Sequence, residues 1–83
     1  MLLLNACGDK RPNTEEAKAH FSRLYPRAKI VDIHLTEDEV VTRSYRFNYQ
    51  KDDRRTGSIE IQFMEVGPEG LWGPSPEPPT SLP

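Results

Sequence analysis

The sequence predicts an α+β fold, with one N-terminal helix packed on a three- to four-stranded antiparallel meander sheet. Three observations predict it. A capped helical stripe comes first, three segments with apolar residues at every second position follow, and the connections between them are too short for the crossovers of parallel pairing. Each alternating segment has one apolar face, so a single sheet with one wet side fits, and the helix is the natural cover for the other side.

The helix is predicted from Thr14 to Leu24. Asn13 is its N-cap and Glu16, three residues on, completes a capping-box pair, while Glu15 and Glu16 suit the positive end of the helix dipole. Ala17, His20, Phe21 and Leu24 fall at i, i+3, i+4 and i+7 and form one stripe. Ala17, Phe21 and Leu24 are expected against the sheet, with His20 at the edge of the core. Pro26 ends the helix by pushing Tyr25 out of helical geometry.

From Lys29 to Leu35, Val31, Ile33 and Leu35 alternate with Asp32 and His34, the period of a half-buried strand. Residues 36–39 read as a polar turn. Val41, Tyr45, Phe47 and Tyr49 then share one face of a second strand, with Arg43 as a charge on that apolar side and Val40, Thr42, Ser44, Arg46 and Asn48 on the other. After a turn over residues 50–57, Ile59, Ile61 and Phe63 mark a third strand. Residues 67–70 are turn chemistry, and Leu71-Trp72 is a short fourth strand or a lid. A helix followed by a bent meander resembles a reduced cystatin-type arrangement in topology. No signature motif accompanies that likeness, so it implies no function.

The 83 residues divide into a leading segment (1–12), one α+β domain (13–72) and a tail (73–83). Five prolines in those last eleven residues exclude helix and central strand and predict an extended segment. The domain is small enough that its stability is expected on the order of 3–9 kcal/mol. With 11 basic and 13 acidic residues interspersed, the net charge of −2 argues against phosphate-driven nucleic-acid binding.

The most specific pattern lies at the start. Leu2-Leu3-Leu4-Asn5-Ala6 precedes the only cysteine, Cys7, and the polar run Gly8-Asp9-Lys10-Arg11-Pro12 follows it. The Leu4-Asn5-Ala6-Cys7 junction resembles the lipobox of bacterial lipoproteins. The resemblance implies that Cys7 is acylated, that lipid is the sole anchor, and that the protein resides in the cell envelope beside another envelope protein. With Gly8 following the cysteine, it implies the periplasmic face of the outer membrane in a Gram-negative cell. Six residues without Lys or Arg are shorter than a secretory signal, so the true start is expected upstream of Met1. The alternative is a soluble cytosolic adaptor or regulatory protein that dimerises through an edge strand.

No motif in the chain points to catalysis or to a cofactor. His34 and Asp32 form one i, i+2 pair, whereas zinc sites use three or four convergent ligands. Residues 37–39 are adjacent acids in a hydrated turn, without the burial that raises a carboxyl pKa for acid catalysis. The reading is therefore a non-catalytic protein-binding, accessory or inhibitory module. Its candidate partner-binding residues are Arg43, Tyr45, Arg46 and Trp72, residue types enriched at interface hot spots. Arg43 also fits an edge position with its head paired to a carboxylate, and Trp72 also fits a plug at the end of the core. The tail's Pro76-Glu77-Pro78-Pro79 is a formal PxxP pattern and reads mainly as a stiff extension, partly docked beside Trp72.

Overall fold

The computed structural model describes residues 11–67 and 70–83. Helix α1 spans Thr14–Leu24, and strands β1 (Lys29–Asp38), β2 (Thr42–Gln50), β3 (Thr56–Glu65) and β4 (Trp72–Pro74) form one antiparallel sheet in the order β1-β2-β3-β4. This is the expected α+β arrangement of one helix on a four-stranded sheet. Both halves of the capping box are present. The Asn13 N–H donates to Glu16 Oε1, and the Glu16 N–H donates to Asn13 Oδ1, each at 2.9 Å.

The core is aromatic. All three phenylalanines and all three tyrosines of the chain are buried in it, with Ala17 and Ile61. Phe21 stacks on Phe47 with ring centroids 4.7 Å apart and meets Tyr25 at 5.1 Å, so the helix is seated on the central strand β2. Tyr25 takes the core position expected of Leu24, which is 39% exposed. The physical reason is spacing, since Tyr25 follows Phe21 by four residues and lies one turn further along the same face.

Each tyrosine hydroxyl donates to the carbonyl of a proline outside the helix and the three long strands. Tyr45 bonds Pro12 at 2.8 Å, Tyr25 bonds Pro79 at 2.6 Å and Tyr49 bonds Pro83 at 3.0 Å. Extended proline-rich backbone has no internal hydrogen bonds, so these carbonyls are available acceptors. The tail, expected as a stiff extension partly docked beside Trp72, is tied to the core through Tyr25 and Tyr49, and Leu82 packs against it. Pairing also extends past residue 72, because Gly73 faces Met64, Pro74 faces Phe63, and the Ser75 N–H donates to the Gln62 carbonyl at 2.9 Å.

The first strand departs from its expected regularity. Its register against β2 shifts between Ile30 and Asp32 and again between Leu35 and Glu37, which makes Val31 and Thr36 extra residues. The bulge turns Val31 out of the apolar row to 60% exposure, and Ile30 takes its place opposite Tyr49. Leu35, opposite Tyr45 at the sheet margin, is 51% exposed. Pairing continues through Asp38, so residues 36–38 of the stretch expected as a turn are strand. The turn itself carries Val40 and Val41, both exposed, and closes with the Glu39 N–H donating to the Thr42 carbonyl at 2.8 Å.

Candidate functional site

The four proposed partner-binding residues are placed on different sides of the sheet. Arg43 and Tyr45 both turn toward the segment ahead of the helix. The Arg43 side chain is 13% exposed, and its Nε and Nη2 donate to Asp38 Oδ1 at 3.1 and 2.9 Å while Nη1 donates to the Pro12 carbonyl at 3.3 Å. Arg11 bonds the same Asp38 oxygen at 3.0 Å and the Glu39 carbonyl at 2.9 Å. Two guanidinium groups thus converge on one carboxylate, and this cluster fastens the segment ahead of α1 to the β1–β2 turn. Tyr45 is 3% exposed beneath it.

Arg46 lies on the face of the sheet opposite the buried Tyr45 and Phe47. It donates to Ser58 Oγ and to Glu60 Oε1, both at 3.3 Å, and Thr36 Oγ1 donates to Glu60 Oε2 at 3.1 Å. Asn48 donates to Asp32, whose carboxylate is 3.2 Å from His34 Nε2. Ser44, 1% exposed, donates to Glu37 at 3.0 Å. These contacts run from β1 across β2 to β3 and make this face a connected polar surface. Trp72 sits at the opposite margin, paired with Glu65 and packed against the core.

His20 stands at the core edge with its ring 5.3 Å from that of Phe63. Burial holds its pKa below the ordinary 6.5, Arg23 lowers it further, and Glu16 opposes both. Tyr25 has its pKa raised above 10.0 by burial and then by Tyr49, which keeps the hydroxyl a donor to Pro79. The end of α1, the β2–β3 turn and the tail border a cleft of about 370 Å³, lined among others by Leu24, Arg27, Asp52 and Leu82.

Sequence reading offers an edge strand as a surface without naming which one, and β1 is a long edge of this sheet. Its outer side pairs with no strand among the described residues, and it runs for ten residues with Val31 and Leu35 exposed. Alternation alone assigned these two side chains to the core. The cue that could have corrected it was position: a first strand in a meander is an edge, and an edge exposes what a helix does not cover.

Among the described residues there is no group of three or more metal-ligating side chains and no helix long and apolar enough to cross a membrane. Cys7 lies outside the described residues. Comparison with protein-family models, with curated proteins and with solved structures found no match for this chain.

Proposed function

We propose that this chain is a small lipoprotein of the bacterial cell envelope, anchored through an acylated Cys7, whose α+β domain is a non-catalytic protein-binding, accessory or inhibitory module. The lipobox-like Leu4-Asn5-Ala6-Cys7 supplies the anchoring half of this reading. The observation that carries it further is the fastening of Arg11, four residues after Cys7, to Asp38 and Glu39 beside a turn whose Val40 and Val41 are 86% and 64% exposed. The chain that bears the lipid therefore arrives at an apolar turn. The long edge of β1 is the binding surface, since unpaired backbone groups and exposed apolar side chains suit strand addition. Tethering raises the local concentration of this edge near an envelope partner.

Expressed in a bacterial host from its native gene, the protein is expected in the membrane fraction, with an intact mass increased by acyl chains. Cys7→Ser is expected to release it. Equal solubility of the two forms, or an unmodified thiol in native material, would overturn the anchoring. The same open edge favours a second reading, a soluble cytosolic adaptor that dimerises through it, and that reading gains if Cys7 is unmodified.

A further inference from the structure

We infer that the edge of β1 pairs with the same edge of a second copy, antiparallel, about a two-fold axis at Ile33. The inference rests on the reading of β1 as the binding edge and names its partner.

The backbone is directed for it. Counting the alternation back from the Glu39-to-Thr42 bond, with the extra residue at Thr36, leaves Leu35 and Ile33 in non-hydrogen-bonded pairs with Tyr45 and Phe47. Their N–H and C=O groups therefore point away from β2, to the free edge. Two copies of Ile33 placed opposite each other exchange both backbone hydrogen bonds. The segment between the two bulges, Asp32 to Leu35, is regular and contains this centre.

The side chains are self-complementary in the same register. Asp32 falls opposite the second copy's His34, and Lys29 falls opposite the second copy's Glu37. Each of these four residues lies on the polar face, because their β2 partners are Asn48, Arg46, Gln50 and Ser44. Lys29 makes no ion pair among the described residues. On the helix-covered side, Ile33 meets its copy with the exposed Leu35 on its flank. Each limb of the pairing carries one bulge on each strand, Val31 on one and Thr36 on the other, so the residue count stays matched out to Lys29 and Glu37. Opposite charges directly across a ladder favour one register, and like charges there disfavour it.

Sedimentation of the full, unacylated chain under reducing conditions tests this. A concentration-dependent dimer is expected, with the Ile33 and Leu35 amides protected from hydrogen exchange in it. Lys29→Glu alone and Glu37→Lys alone each place like charges at both symmetric contacts and raise the dissociation constant by about 30-fold. An equimolar mixture of the two variants restores the association, because each then meets its opposite. A chain that stays monomeric up to about 1 mM, a range in which even weak edge pairing is populated, overturns the inference. So does a mixture no better associated than its components, or a dimer with unprotected Ile33 and Leu35 amides. A monomer that still enters membranes through Cys7 removes self-pairing and leaves the anchoring, whereas a dimer that stays soluble does the reverse.

Discussion

Gly57 is expected to resist even a methyl group. It faces Tyr49 across the β2–β3 ladder, and a Cβ on Gly57 would lie 2.5 Å from Tyr49 Oη and 2.7 Å from Cζ. The ring cannot swing aside freely, since Tyr49 is 1% exposed, packs near Phe21 at 6.1 Å and donates to Pro83. Displacing it in Gly57→Ala costs about 0.5–1.5 kcal/mol for the lost hydrogen bond and about as much for an off-rotamer ring. Replacing a strand glycine returns roughly 0.5–1 kcal/mol through reduced unfolded-state entropy. The net is a destabilisation of about 1–2 kcal/mol, within the usual range for overpacking. Urea unfolding should then show a midpoint lower by about 1–2 M with an unchanged slope, given a slope near 1 kcal/mol/M for a chain of this size. Combining Gly57→Ala with Tyr49→Leu should cost less than the sum of the two single changes, because the collision is gone. A Gly57→Ala protein as stable as the parent, or strictly additive with Tyr49→Leu, would refute the argument.

Two further outcomes follow from local geometry and charge. Arg54 adopts φ 73° in the β2–β3 turn, where its N–H donates to the Lys51 carbonyl at 2.9 Å. Arg54→Gly should stabilise the protein by about 0.5–1 kcal/mol and raise the melting temperature by a few degrees, and a fall would contradict left-handed strain at this position. Because the folded-state pKa of His20 lies below its unfolded value, the unfolded chain binds the proton more readily. The contribution of His20 is therefore complete above about pH 6.5 and lost as pH falls through the lowered folded value. His20→Gln should flatten the decline in melting temperature on acidification; parallel declines in both proteins would dismiss the effect.

The helix was legible to its end residues because its punctuation is local: Asn13 and Glu16 at one end and Pro26 beyond the other. The strands were legible in number and pairing from their period of two. What escaped was non-local. A bulge leaves no mark in the alternation of Val31, Ile33 and Leu35, so their burial depended on pairing the sequence does not display. Tyr25 was read as the residue before a proline, although the spacing from Phe21 already put it on the buried face. The tail's role depended on where the Tyr25 and Tyr49 hydroxyls end up, which follows only from the assembled core. Arg43 was recognisable as an anomaly on an apolar face, and its partners, Asp38 and the Pro12 carbonyl, emerged only with the register. The charge symmetry about Ile33 is written in the sequence, yet it gains meaning only once β1 is known to be an edge.

The fastening ahead of the helix has a mechanical consequence. A pull on the leading segment meets Arg11, and then the Pro12 carbonyl gripped by Tyr45 and Arg43, before it reaches the first helical turn. Load passes into the turn end of the β1–β2 hairpin, and the first turn of the helix is shielded from it. Motion of whatever holds the leading segment is thus handed to the domain as a whole.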